Sequence, residues 1–515
     1  MTTAGRVGFV AILLAGSVLL SRALGFAREI LLARHVGISY QADAYSAAFQ
    51  IPDILNYLLA AGASVALVPF YTQRKAEYGA ESARNLLGTV LGNVTTVAIL
   101  LTGLLFVFAD TLVDFQFPHF NSETRELTVR LTRILLPAQV AFVSGGIIRG
   151  GLMAEGRFAA QALMPIIYNF GILIGGLFLA PHIGIEGFAW GALVGAILGP
   201  LMGSLLEARG RLALVFRLSP LDAGFLNYLW IAFPLMIGVT LLTVDEWYGR
   251  WFGQIGGEGS VSSLRYARYL MLLPVAFVGQ AVATAALPTL TQLFRKGDRE
   301  EFSRVFQGTL KASLILAIFF AGGTWVVADS LVESVYQRGA FDKDAANAVA
   351  SVLEVFALAI PGWILQEISV RGFYARSDTW RPMILGTVVA LLVIPLYSFL
   401  GAEGGARGIA LAGTLAITVN AVVTMCASRI RHGTPDLGDL FQSSLRSTAV
   451  ALVSVWLCGR VLPLSQFSGL VELLTSGSVY CGIHFCLIMC LGDMETRSTL
   501  KVLVRRVGSV FWKVS

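Results

Sequence analysis

The chain has little charge. Asp, Glu, Lys and Arg together make up 14% of its 515 residues, against roughly 25% in a soluble domain. It has no Gly-Lys dipeptide, and therefore no phosphate-cradling loop of the kind that binds ATP. Its five cysteines, Cys426, Cys458, Cys481, Cys486 and Cys490, form no C-x-x-C pair, so neither a disulfide framework nor a zinc site is indicated. The histidines are scattered without metal-ligand spacing, and no carboxylate pair or Ser/His set stands out. These absences argue against an enzyme and imply no cofactor or metal.

What is present is apolar and repeated. Hydrophobic residues reach 56% and mean hydropathy is +0.72. A spanning helix needs about 20 mostly apolar residues. Fourteen such segments are readable, near 7–33, 44–71, 86–109, 127–152, 160–180, 186–207, 224–249, 262–290, 303–327, 346–374, 382–400, 406–427, 443–462 and 470–492. The run Gly184-Ile185-Glu186-Gly187-Phe188-Ala189-Trp190-Gly191 returns 217 residues later as Gly401-Ala402-Glu403-Gly404-Gly405-Ala406-Arg407-Gly408. Pro69 with Thr72-Gln73 returns as Pro288 with Thr291-Gln292, and Gly151 with Ala154 returns as Gly372 with Ala375. The expected fold is therefore an all-α polytopic membrane protein: two parallel six-helix repeats, 1–217 and 218–432, two further helices in 433–493, and a basic tail, 494–515. In transporters such halves commonly enclose the substrate site.

Lys and Arg gather in alternate connections, among them Arg74, Lys75 and Arg84, then Arg209, Arg211 and Arg217. The stretches 35–43, 110–123, 181–187 and 252–260 hold neither residue. By the positive-inside rule both termini are cytoplasmic. The net charge of +6 then reflects topology, and a nucleic-acid partner is not expected. The run from Val7 to Leu20 continues through Arg22 without a small-residue cleavage site, which reads as a retained first span. The tail reads either as a surface amphipathic helix or as a solvated basic end.

Charges within apolar spans are the informative exceptions, since each costs about 2.5–3.5 kcal/mol at a helix centre on insertion scales. In the first span Ser21, Gly25 and Arg28 share one helical face, and Arg22 and Glu29 share a flank about 100° away. Arg22 and Glu29, seven residues apart, are too distant to pair. The two arginines thus lack an evident partner in their own helix and call for an aqueous cavity or an anionic ligand. Guanidinium suits phosphate because its planar fork donates two parallel hydrogen bonds and stays charged. Asp43 opens the second span and could neutralise an arginine, cap its own helix or bind a cation. Arg265 and Arg268, three apart, form a second basic cluster in the second repeat. Asp245 and Glu246 lie in the seventh span, where a carboxylate could bind Na⁺ or H⁺ or counter Arg250. Glu367 and Arg371 have the spacing of an intrahelical salt bridge.

The motif Ser21-Arg22-x-x-Gly25-x-x-Arg28, followed by Asp43-Ala44-Tyr45, Phe49-x-Ile51-Pro52, Gly62-Ala63 and Val68-Pro69, resembles the MurJ (MviN) lipid II flippases of the MOP exporter superfamily. Phe373-Tyr374-Ala375-Arg376-x-Asp378-Thr379 with Pro382, and Gly259-Ser260-Val261 leading to Tyr266-Ala267, extend the resemblance over nearly the whole chain. It implies a flippase that moves undecaprenyl-diphosphate-linked peptidoglycan precursor from the inner to the outer leaflet of the bacterial inner membrane. It also implies that Arg22, Arg28 and Asp43 line a central cavity and that the last two helices form a groove for the lipid tail. Ser21, Arg265 and Arg268 join these as candidate substrate residues, and Asp245 as the candidate for coupling to Na⁺, H⁺ or the membrane potential. Membrane lipids and cell-wall synthesis proteins are the expected partners of a monomer. The sequence departs from the family pattern at Asn56 and Ala61, where an arginine and a glutamate are usual, and at Tyr269, where the arginine is displaced to Arg268. Ala390 and Ile394 stand where some relatives place ion ligands. These departures keep open an exporter of another polyprenyl-linked glycan, or a non-transporting scaffold.

Overall fold

The computed structural model describes residues 3–210, 212, 214–241, 244–461 and 469–491, with backbone alone at 3–12, 15, 60–66, 231, 234–241, 244–245 and 490–491. The basic tail, the side chain of Asp245 and that of Ala61 therefore lie outside the described residues. Every regular element among those described is helical. Lipid offers no hydrogen bonds, so an apolar chain must satisfy its backbone within each segment.

Eight helices among the described residues are long and apolar enough to cross a membrane, or nine if Lys343–Ala357 and Ile360–Tyr374, bent by 45°, form one broken span. The fourteen apolar segments of the sequence exceed this count for local reasons. Segment 44–71 is interrupted at Phe49 and by the π-helical stretch Asn56–Ala61. Segment 382–400 divides between the short helix Trp380–Leu392 and the long helix Ile394–His432. The first segment is one 34-residue helix, Thr3–Val36, whose apolar run Arg22, Arg28, Glu29 and Arg34 interrupt.

The chain forms two compact units, Met1–Ser262 with Arg338–Phe341, and Ser263–Gln337 with Asp342–Ser515. The core of the first lies along the helix Gly62–Val107, where Leu86, Leu87, Val90, Leu91 and Val94 meet Val143, Ile147, Ile148 and Leu152 of Pro137–Ala154. Phe225, Tyr228 and Ala232 of Ala223–Leu241 enter the same core. Packing thus carries the first unit past residue 217, where the sequence repeat turns over. Without a hydrophobic drive between lipid-embedded helices, close approach of small residues supplies much of the attraction. Gly171 packs on Gly195, where a Cβ would lie 2.6 Å from the Gly195 Cα, and Gly191 on Gly171, where a Cβ would lie 2.5 Å from the carbonyl oxygen. In the first copy of the repeated motif, Gly191 therefore marks a helix contact.

In the second unit Arg299–Val326 is the central helix. The Phe306 ring fills the space at Gly372, where a Cβ would meet it at 2.6 Å. Leu314 and Ile318 pack on Ala451 of Leu437–Val461. Tyr480 of the last described helix, Leu470–Leu491, donates to the Phe319 carbonyl at 3.0 Å. Lys311 holds Asp439 at 2.9 Å. The two helices that have no counterpart in the repeat are thus anchored to this unit.

Candidate functional site: the arginine face of the first helix

Asn169 organises the face of the first helix that bears Ser21, Gly25 and Arg28. It lies on the neighbouring helix Ala159–Ile174, and its Nδ2 donates to Ser21 Oγ at 3.1 Å and to the Pro165 carbonyl at 3.0 Å. Its Oδ1 accepts from the Arg28 guanidinium at 3.3 Å. Gly25 leaves room for this amide: a Cβ there would sit 3.8 Å from the Asn169 oxygen. The shared face read from the sequence is therefore a docking face, and Asn169 is its missing partner. The signal available was an amide inside an otherwise apolar run.

The expectation that both arginines lack a partner in their own helix is corrected for Arg28. Its Nε and a terminal nitrogen donate to Glu29 Oε1 at 3.0 and 2.7 Å. Glu29 is fully buried and the Arg28 side chain is 12% exposed. Residues 28 and 29 point about 100° apart on a helical wheel, but the long arginine stem folds round to reach its neighbour. The result is a guanidinium fixed on one side by a carboxylate and on another by an amide. Arg22, on the flank of the same helix, is exposed.

Asp43 also differs from the sequence reading. It is buried in the first turn of Tyr40–Ala48, where among the described residues it neither caps its own helix nor pairs with an arginine. Its two oxygens accept from the backbone N–H groups of Gly259 at 2.6 Å and Ser262 at 2.7 Å. It thereby supplies an acceptor at the start of the helix Ser260–Pro274, where backbone donors lack intrahelical partners. Glu258 adds a second tie by accepting from the Tyr40 N–H at 3.1 Å. Gly259 has φ 80°, a conformation glycine adopts without strain.

Glu246 counters Arg250, as one of the sequence readings held, at 2.6 Å, and Asp53 completes the group at 2.7 Å from the other guanidinium nitrogen. Asp53 was invisible as a partner because 197 residues separate the two. In the second unit Arg268 lies over the Trp363 ring, 5.5 Å from its centre, and Arg265 is half-buried on the same helix. Between Arg265 and Arg268, Tyr266 is fully buried, its ring 5.1 Å from that of Tyr336. The Glu367–Arg371 bridge is present at 3.4 Å. Among the described residues no group of three or more His, Cys, Asp or Glu is placed to hold a metal ion.

Ser21, Arg28 and Asn169 thus form one connected polar group in an apolar helix pair, with Glu29 beneath it and Arg22 exposed alongside. Such a surface suits an anionic head group presented at membrane depth.

The chain is similar to a probable lipid II flippase MurJ of Rhizobium tropici, 29% identical over 458 residues, covering 87% of this chain and 85% of the relative. A lipid II flippase MurJ of Burkholderia cenocepacia is 28% identical over 388 residues, covering 73% and 75%. Among solved structures, a lipid II flippase MurJ in an inward closed conformation superposes with a TM-score of 0.79 at 24% identity, covering 94% of this chain and 100% of that one. An inward-facing MATE family transporter of the MOP superfamily reaches 0.68 at 15% identity, covering 82% and 96%. The sequence model for lipid II flippase MurJ matches residues 32–474. The chain belongs to the lipid II flippase MurJ family.

Proposed function

We propose that this chain translocates lipid II, the undecaprenyl-diphosphate-linked peptidoglycan precursor, from the inner to the outer leaflet of the bacterial cytoplasmic membrane. The observation that carries the reading is the arginine pair of the first helix, within a chain matched to the family over residues 32–474. Arg28, set in place by Glu29 and Asn169, is a pre-oriented cation. Arg22 is the exposed one. Together they suit the two phosphates of a diphosphate, because guanidinium retains its charge even when partly desolvated.

Alternating access moves the head group, and no bond is made or broken, so the activity is transport and not catalysis. Asp43 acts on this reading as a positioning residue that ties the start of Ser260–Pro274 to the helix Tyr40–Ala48. Arg265 and Arg268 supply further positive charge, and the last two helices guide the lipid tail. Both termini are cytoplasmic by the distribution of Lys and Arg. Asp245 is the residue proposed for coupling to Na⁺, H⁺ or the membrane potential, while Glu246 carries a counter-charge in Arg250.

The test is rescue of a bacterium depleted of its own lipid II flippase. Wild type restores growth and normal cell shape, while Arg22→Ala and Arg28→Ala fail at matched membrane levels. A well-expressed wild type that does not rescue would overturn the lipid II assignment and point to another polyprenyl-linked glycan.

A further inference from the structure

A cleft of 380 Å³ opens in the first unit, away from the arginine face, between Arg74, Glu81, Ser82, Asn85, Arg217 and Asp222. It forms where the helix Gly62–Val107 breaks at Gly79, φ 84°, and an extended segment, 214–219, lies back along that helix. The segment is firmly seated. The Arg217 N–H donates to the Gly88 carbonyl at 3.2 Å, and Asn93 both accepts from and donates to the Ser219 backbone at 3.0 Å. A side chain at Gly88 or Gly92 would strike the carbonyl of Val215 or Arg217. Arg217 is therefore held at the rim by its backbone, and its side chain remains exposed.

The charges in the cleft are balanced and only partly used. Arg74 donates to Ser82 Oγ at 3.1 Å and lies over Tyr78, 5.4 Å from the ring centre. Asp222 accepts from the Phe225 N–H at 3.0 Å. Neither Arg217 nor Glu81 makes an ion pair among the described residues. A simple anion would meet two carboxylates here, and a simple cation two guanidinium groups. The lining suits a ligand that carries both signs a short distance apart.

The segment that presents Arg217 also exposes Val215, Phe216, Leu218 and Leu221, at 52%, 56%, 59% and 85%. Contiguous exposed apolar side chains beside arginine are the signature of a membrane interface. A water-soluble zwitterion would leave them in water, whereas a lipid covers them with its chains.

We infer that this cleft holds the headgroup of a phosphatidylethanolamine-type lipid, its phosphate on Arg74 and Arg217 and its primary ammonium on Glu81 and Asp222. A primary ammonium donates hydrogen bonds to both carboxylates, which a quaternary ammonium cannot do. The inference does not depend on which substrate the chain translocates.

Native mass spectrometry of the purified full chain, titrated separately with phosphatidylethanolamine, phosphatidylcholine and phosphatidylglycerol, tests it. Phosphatidylethanolamine should bind tighter than either competitor by about fivefold, the effect of one near-surface charge. Glu81→Gln should reduce its affinity to that of phosphatidylcholine, and Arg217→Gln should weaken all three. Both side chains are exposed and make no ion pair among the described residues, and the Arg217 backbone bond survives its substitution, so neither change threatens folding. Acyl-free phosphoethanolamine should not displace bound lipid. Equal or tighter binding of phosphatidylglycerol by wild type, a preference unchanged in both variants, or displacement by the acyl-free headgroup overturns the inference.

Discussion

Arg28 in the first unit and Arg268 in the second place a guanidinium on an otherwise apolar helix, and the two are accommodated differently. Arg28 rests on a buried carboxylate and an amide, so its charge is locally neutralised and its orientation fixed. Arg268 lies over the face of Trp363, a contact that adds cation–π attraction. A carboxylate partner favours geometry, and an aromatic partner preserves field.

The contrast can be broken at each end. The largest effect is expected at Arg28. Removing it takes the Arg28 guanidinium from the buried Glu29 carboxylate, and loss of one partner of a buried pair costs about 3–5 kcal/mol. Arg28→Ala should therefore lower membrane levels as well as abolish rescue. The double change Arg28→Ala with Glu29→Gln should restore the level, read by immunoblot, but not the rescue. Arg22→Ala, at an exposed position, should abolish rescue with the level intact.

Asp43 comes next. Its two backbone bonds are charge-assisted, and each such bond contributes about 1.5–3 kcal/mol. Asp43→Asn keeps one acceptor oxygen and should lower the thermal unfolding temperature of the purified chain. Asp43→Ala should lower it further. At Trp363 the expected loss is smaller, about 0.5–2 kcal/mol for a cation–π contact. Trp363→Leu should weaken rescue only partly, and Trp363→Phe should retain most of it.

The smallest effect belongs to Lys75 and Glu155, 2.7 Å apart with side chains 40% and 29% exposed. Exposed pairs contribute about 0.2–1 kcal/mol. The Lys75 ammonium holds the Glu155 carboxyl below its ordinary value. A depressed carboxylate adds stability above its unfolded pKa, and that stability fades as pH falls through the folded value. Lys75→Gln should thus lower the unfolding temperature slightly at pH 7 and not at all in strong acid.

Much of the architecture was legible in the sequence because lipid imposes it. Long apolar runs can only be helices, and the echo of 184–191 at 401–408 pointed to a duplicated membrane domain. Ser21 and Arg28 were placed on one face by a fixed rotation per residue. The partners were harder to read. Glu29 was passed over because a helical wheel records where Cβ points and not how far an arginine stem can bend. Asn169, Asp53 and the two backbone donors on Asp43 come from distant parts of the chain, and spacing along one helix says nothing about them. Among the described residues fewer helices qualify as spans by length and composition than there are apolar segments, since hydropathy does not register breaks such as those at Phe49 and Val393.

The central claim is that the first-helix arginines bind the diphosphate. It is tested most directly by measuring lipid II affinity for the purified full chain in nanodiscs, comparing wild type with Arg22→Ala and with Arg28→Ala/Glu29→Gln. Losing a charge-assisted contact of about 1.5–3 kcal/mol should weaken binding tenfold or more in each variant, with a smaller change for an undecaprenyl monophosphate. Equal lipid II affinity in all three proteins would contradict the account.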